Sequence, residues 1–274
     1  MSRKNICIDD LLYLMTRLRD PIYGCPWDIK QSFETIIPHT VEEVYEVIDA
    51  IENKDFCHLK EELGDLLFQV IFYSQIAHEK SLFSFNDVVS LVTQKLILRH
   101  PHVFPDGTLE SRRSESMNSH NELSIKKNWE SLKAIERRNK GEDSALSDIP
   151  TSLPALIRAQ KIQKRAASKG FDWPSISGVF NKIDEEIQEL KKAVAGANQE
   201  GIEEELGDVM FTVVNLCRHL GVDAETAMRK SSCKFGHRFQ YIEDHLRASD
   251  NDISGASAET LKNLWDEAKT KINF

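Results

Sequence analysis

Residues 59–71 read LKEELGDLLFQVI and residues 202–214 read IEEELGDVMFTVV, the same pattern 143 residues later. At that offset Glu42, Glu43 and Glu46 correspond to Glu185, Glu186 and Glu189. Gly24-x-x-Trp27 is matched by Gly170-x-x-Trp173, Lys95-x-x-x-Arg99 by Lys234-x-x-x-Arg238, and Trp129-x-x-x-Lys133 by Trp265-x-x-x-Lys269. A period this long marks duplication of a whole domain and not a solenoid, whose repeats run to ~20–50 residues. The chain of 274 residues therefore reads as one module used twice, over 1–140 and 154–274, with a linker at 141–153 inside the Gly/Ser/Asp/Pro-rich stretch 139–154.

The module is expected to be all-α. Only 12 glycines and 8 prolines interrupt the chain, below the ~12% of average usage. Leu11, Leu14, Met15 and Leu18 recur at helical spacing after Asp9-Asp10, an expected N-cap, and Pro21 closes that segment. Val41, Val44, Ile48 and Ile51 mark a second helix. Leu59, Leu63, Leu66, Leu67 and Val70 mark a third, with Asp55 as its cap. No period-two run suggests a sheet. The polar, Ser-rich stretch 105–124 reads as a mobile loop, with a short helical piece after it around Trp129.

Each module carries Glu-Glu-x-x-Glu, fifteen intervening residues, then Glu-x-x-Asp. Residues three apart on a helix lie ~60° apart around its axis, on one face. Glu43 with Glu46, and Glu62 with Asp65, can thus face one another across an antiparallel helix pair; so can Glu186, Glu189, Glu205 and Asp208. Four converging carboxylates repel, and without a cation several would have to hold protons. A hard divalent ion removes the conflict, and the all-oxygen set suits Mg²⁺, with Mn²⁺ as a substitute. A di-iron site of the bundle type needs Glu-x-x-His on two helices, and no Glu-x-x-His occurs in the chain.

Four further features bear on the motif. Gly64 and Gly207 sit inside it, where a helical glycine costs about 1 kcal/mol; they either admit a neighbouring helix or substrate, or are tolerated irregularities. Thr40-x-x-Glu43 matches a capping box, and a Glu43 bonded back to the Thr40 amide could not also hold a cation. Lys95/Arg99 and Lys234/Arg238 are i,i+4 pairs that serve either as ion-pair partners or as phosphate clamps. Trp129 and Trp265 either fill a core or stack on a base.

The net charge of −9 and the 44 acidic residues argue against a nucleic-acid polymer as partner. They do not argue against a nucleotide accompanied by magnesium, and at least ten of those 44 belong to the two motifs. No apolar stretch approaches the ~18 residues of a membrane span, and no signal-like segment opens the chain. Five scattered cysteines and nine dispersed histidines include no metal-binding pattern, and His100-Pro101-His102 reads as a turn. A cytoplasmic protein with reduced thiols is expected.

These motifs resemble those of the MazG family of nucleoside triphosphate pyrophosphohydrolases, within the all-α NTP pyrophosphatase superfamily. That family's signature, Glu-Glu-x-x-Glu, 12–28 residues, Glu-x-x-Asp, is matched by both modules. RLRDPIYGCPWD (17–28), RHPHVF (99–104) and SLPALIRAQKIQKRA (152–166) extend the likeness over nearly the whole chain, in the tandem layout of the bacterial form. The resemblance implies a homodimer of helical bundles that hydrolyses (d)NTP to (d)NMP and pyrophosphate, by attack of a metal-activated water on the α-phosphorus. It implies Glu186, Glu189, Glu205 and Asp208 as catalytic metal ligands, with Glu43, Glu46, Glu62 and Asp65 as their counterparts. Lys182, Lys234 and Arg238 would bind the triphosphate, with Glu185, Glu204 and Trp265 beside the nucleotide. Family members often carry a lysine just before the second acidic run, where this chain has Gly201. Lys182 against His39 favours the second module as the more active. A protein of another class, which senses Mg-nucleotide without turning it over, is the competing reading.

Overall fold

The computed structural model describes residues 6–112, 125, 129, 132, 144–249 and 251–272. Ten helices are assigned and no strand occurs among the described residues. The chain divides into two units, Met1–Lys133 and Ala134–Phe274. Residues 113–124 of the Ser-rich stretch, 141–143 of the expected linker, Lys133, and most of the segment around Trp129 lie outside the described residues. His100 to Val103 follow the helix Phe85–Arg99 as a turn, as expected.

In the first unit α1 (Ile8–Leu18), α2 (Pro26–Lys30), α3 (Phe33–Glu52), α4 (Phe56–Glu79) and α5 (Phe85–Arg99) follow in order. The expected caps hold in part. Asp55 caps α4, accepting hydrogen bonds from the Cys57 and His58 amides at 3.2 and 3.0 Å. At α1 the N-cap is Cys7, and the Asp10 carboxylate accepts from its amide at 3.0 Å, so the aspartates fill the first turn instead of preceding it. That placement suits the positive end of a helix dipole.

The capping box expected at Thr40 does not form. α3 starts at Phe33, capped by Ser32, and runs through Pro38, so Thr40 lies in its interior. The Thr40 hydroxyl donates instead to the Ile36 carbonyl at 3.1 Å and lies 3.0 Å from the Tyr73 hydroxyl. A hydroxyl satisfied this way leaves Glu43 free of any capping duty.

The core of this unit gathers Met15, Ile36, Ile71, Phe72 and Ile76 from α1, α3 and α4. Each such side chain contributes roughly 1.5–3 kcal/mol by leaving water. Arg19, just past α1, ties the corner: its guanidinium grips Glu79 through two oxygens at 2.9 and 2.7 Å and donates to the Asp28 and Gln31 carbonyls.

The second unit holds α6 (Ala155–Ala167), α7 (Ile176–Ala195), α8 (Gln199–His219), α9 (Ala224–Ala248) and α10 (Ala258–Lys271). Val179, Val214, Ala224, Ile242, Leu246 and Ala268 are its buried apolar residues on α7 to α10. Residues 144–153 form bends and turns held to α6 by Arg165, which bonds Asp148 at 2.8 Å and the Ala145 carbonyl at 3.2 Å.

α3 packs most extensively on α4, and α7 on α8. Each pair is joined by a three-residue turn whose middle residue is left-handed without being glycine: Lys54 at φ 57° and Ala197 at φ 50°. Such a residue costs roughly 1–2 kcal/mol. The two stand 143 residues apart, the offset of the repeat.

The apolar positions that mark these helices are not all interior. Ile37, Leu63, Leu67 and Val70 are 39% to 55% exposed, and their counterparts at the same offset, Phe180, Leu206, Met210 and Val213, are 43% to 57% exposed. Val41, Val44 and Ile51 are exposed as well.

Candidate functional site

The helix pairs bring the motif carboxylates together in both units. Single oxygens of Glu43, Glu62 and Asp65 lie within 4.8 Å of one another, and so do those of Glu186, Glu205 and Asp208. Glu46 approaches Glu62 within hydrogen-bonding reach, and Glu189 lies close enough for its charge to act on Glu205. Three carboxylates thus meet on each helix pair, with Glu46 and Glu189 near enough for their charge to act on the set.

The crowding shows in the acid–base behaviour. Burial pushes Glu205 above the usual carboxylate range, and the charges of Glu189, Glu186, Asp208 and Glu204 add to the rise. Glu43 is raised by burial and by Asp65, Glu46 and Glu62, against a 3.3 Å hydrogen bond donated by Gln69. Glu62 is raised by burial, against the attraction of His58, whose Nε2 lies 2.6 Å away. Each set thus concentrates negative charge that the protein only partly balances. Hard oxygens at this spacing fit a divalent cation such as magnesium. The donor chemistry passes that test in both units.

The rims differ. In the second unit Lys182 Nζ lies 2.8 Å from Glu185 and 2.7 Å from Glu186, itself only 4% exposed. Those two hydrogen bonds raise the lysine's pKa. In the first unit His39 takes the matching position, 3.8 Å from Glu42. His58, paired with Glu62, stands where the second unit has Gly201.

Lys182, Glu186 and Asp208 also line a cavity of about 800 Å³ that continues between α6, α7 and α8. Its walls include Ile162, Gln163, Trp173 and Phe211. Trp173 is seated against the backbone of α7: a Cβ at Gly178 would come within 2.8 Å of its Cε3 atom. Arg218 pairs with Asp172 and also donates to Asn215 Oδ1 at 3.1 and 2.9 Å, with His219 at 3.1 Å from the same aspartate. Burial tends to raise the Asp172 pKa, but the Arg218 hydrogen bond and charge outweigh it and hold the group low.

Lys234, Arg238 and Trp265 are not among the residues lining this cavity. Arg238 and Trp265 form a second group on α9 and α10, where the Arg238 guanidinium lies 5.9 Å from the centre of the Trp265 ring and Phe235 5.2 Å from it; Lys234 stands four residues before Arg238 on α9. Trp265 is half-buried there against protein side chains. Glu204 is exposed beside Glu205. Gly64 and Gly207 have no atom within 4 Å of an added Cβ, so no helix of the described chain packs against either.

Sequence reasoning did not single out His58, Gln163, Arg218 or Asn215. His58 stands four residues before Glu62, a helical pairing visible in the sequence. Nothing in the sequence sets Gln163 apart, because its importance arises only where α6 meets α8.

A family model described as the MazG nucleotide pyrophosphohydrolase domain matches the chain twice, over residues 31–104 and 176–242. A nucleoside triphosphate pyrophosphohydrolase of Escherichia coli (strain K12) is 48% identical over 266 residues, covering 96% of this chain and 97% of its own. A nucleoside triphosphate pyrophosphohydrolase/pyrophosphatase MazG of Thermotoga maritima is 40% identical over 98% of both chains. A nucleoside triphosphate pyrophosphohydrolase of Mycolicibacterium smegmatis is 34% identical over 59% of this chain and 46% of its own.

Proposed function

The chain belongs to the MazG nucleotide pyrophosphohydrolase family, and from that membership we propose that it hydrolyses nucleoside triphosphates to the monophosphate and pyrophosphate. The observation that carries the reading is the meeting of Glu186, Glu205 and Asp208, of which Glu186 and Asp208 line a cavity together with Lys182.

Glu186, Glu205, Asp208 and Glu189 would hold a divalent cation, magnesium or manganese in its place, whose chemistry is to neutralise phosphate charge and acidify water. Lys182 exchanges its carboxylate partners for a phosphate oxygen when substrate enters. One carboxylate of the set orients the attacking water and takes its proton. The water oxygen bonds to the α-phosphorus, the α–β bridging bond breaks, and pyrophosphate leaves with the bonding electrons. Lys234 and Arg238, which lie outside the lining of this cavity, would offset charge on the β- and γ-phosphates from α9.

Glu43, Glu46, Glu62 and Asp65 form the counterpart set, with histidines where the second unit has Lys182 and Gly201. The second unit is accordingly the more active.

A homodimer is part of the reading. Two stripes of exposed aliphatic and aromatic side chains at the same register in both units support burial against a second copy. All five cysteines are free, which accords with a reducing cytoplasm. Ordering of the two units along 1–140 and 154–274 with a linker at 141–153 completes the picture.

Incubating the protein with Mg²⁺ and each (d)NTP, and measuring pyrophosphate and orthophosphate separately, tests the chemistry. Pyrophosphate is expected in equimolar amount with monophosphate. Orthophosphate release with diphosphate, or binding without turnover, would overturn it.

A further inference from the structure

The two carboxylate sets differ in what stands beside them. In the second unit the Lys182 ammonium is 2.7 Å from Glu186, and Gly201 contributes no side chain. In the first unit His39 stands for Lys182 and His58 for Gly201. His58 and Glu62 are four residues apart on α4 and share a face of the helix. The ring Nε2 lies 2.6 Å from Glu62 Oε1. Glu62 belongs in turn to the triad with Glu43 and Asp65, so an imidazole adjoins three carboxylates. That ring is half-exposed and has room to turn toward an ion.

A second observation points to a cation at this place. Gln69 is 7% exposed, and its amide lies against the triad, with Nε2 3.3 Å from Glu43 Oε1. Its Oε1 is buried with no hydrogen-bond partner, a rare state for an acceptor. The oxygen sits on the same amide that touches Glu43. A half-turn of that amide presents it to the carboxylates, a contact that only a cation between them makes favourable.

The neighbouring positions set this place apart from a second nucleotide site. Thr212 and Asn215 line the cavity of the second unit. At the 143-residue offset the first unit has Gln69 and Phe72, and Phe72 is a core residue, 1% exposed. Larger side chains thus stand where the other copy has cavity walls.

We propose that the first carboxylate set is a site for a transition-metal dication such as zinc or cobalt, with His58 Nε2 as its nitrogen ligand beside Glu62, Glu43 and Asp65, and that it holds the ion without nucleotide. Imidazole favours such ions, where oxygen donors alone suit magnesium. Ligands four residues apart on one helix face form a chelating pair. The entering ion takes the place of the proton that His58 and Glu62 share. The inference takes from the proposed function only that the motif carboxylates bind cations.

The test titrates Co²⁺ into the metal-free, full-length protein with Mg²⁺ in large excess, followed by visible absorption and proton NMR. The tightest Co²⁺ site should show a hyperfine-shifted imidazole N–H proton. In His58→Asn that signal should vanish and Co²⁺ affinity should fall about tenfold or more, while Mg²⁺ affinity changes by about twofold at most. His58→Gln repeats the measurement should the first variant not fold. A histidine that merely braces Glu62 would shift both ions alike. That result overturns the proposal, as does a tightest site without an imidazole signal. Calorimetry with the α,β-methylene analogue of ATP and Mg²⁺ should saturate at one nucleotide per chain, and two would overturn the ion-only assignment. Failure to release pyrophosphate with Mg²⁺ would overturn the hydrolase and leave the His58 site standing.

Discussion

Lys182 Nζ lies 2.7 Å from Glu186 Oε1, so a lysine ammonium holds one of the carboxylates that a divalent cation would need. The same ammonium bonds Glu185 at 2.8 Å. Replacing it with a neutral side chain frees Glu186 and removes the proposed phosphate contact at once. Lys182→Met should lower kcat/KM by about tenfold to a hundredfold, since a hydrogen bond to a charged group is worth ~1.5–3 kcal/mol. In the absence of nucleotide it should also lower the magnesium concentration that half-saturates the thermal shift. An unchanged kcat/KM would make the lysine a purely structural partner of Glu186.

The duplicated carboxylates can be separated by paired substitutions. Glu205→Gln should reduce pyrophosphate release by roughly a hundredfold or more, because even outer-sphere partners of a metal cost ~10–100-fold. Its twin Glu62→Gln should leave most of the activity. Loss of equal size in both variants would show two working sites.

Stability should depend jointly on pH and divalent cation. Glu43, Glu62 and Glu205 have folded-state pKa values raised above the ordinary carboxylate value. A raised value means that the folded protein binds those protons more tightly than the unfolded chain. Their contribution is fully present below the unfolded pKa of ~4.3 and is lost as pH climbs through the raised values. Magnesium relieves the exposed repulsion only after deprotonation. The rise in Tm on adding MgCl₂ should therefore be larger at pH 7.5 than at pH 5; equal rises would contradict this.

Two glycines of α7 and α8 should respond in opposite directions. Gly207 has open space around it, so Gly207→Ala should stabilise the fold by up to about 1 kcal/mol through helix propensity. Gly178→Ala drives a methyl group into the Trp173 ring, and overpacking of that kind costs ~1–3 kcal/mol. Thermal or urea denaturation of the two variants checks both signs.

Met210→Glu with Leu67→Glu places a charge in each exposed stripe. The variant should elute and scatter light as a monomer, where the unmodified chain is expected to be a dimer. A chain that is already monomeric at micromolar concentration would remove the homodimer from the proposed function.

The two helix pairs and their carboxylates were legible because charge, spacing and repetition are properties of the sequence itself. Glu62 and Asp65 share a face by helical periodicity alone, and Glu205 with Asp208 repeats the pattern. The start of α3 was misjudged because Pro38, His39 and Thr40 resemble a beginning, whereas Ser32 supplies the cap and the helix continues through the proline. The apolar stripe of Leu63, Leu67 and Val70 marked α4 correctly without revealing which side is buried, since periodicity carries no direction. Gln163 was invisible because its partner is the Phe211 carbonyl, 48 residues distant in sequence.

Lys54 and Ala197 keep the same left-handed backbone at equivalent places in the two units. A shared irregularity of this kind is inherited, so the turn is at least as old as the copying event that doubled the chain. His39 and Lys182, like His58 and Gly201, are different residues at equivalent places, and they parted afterwards. The joint that aligns each helix pair therefore has the longer history, and the side chains around its carboxylates record what each copy became once it was free to change.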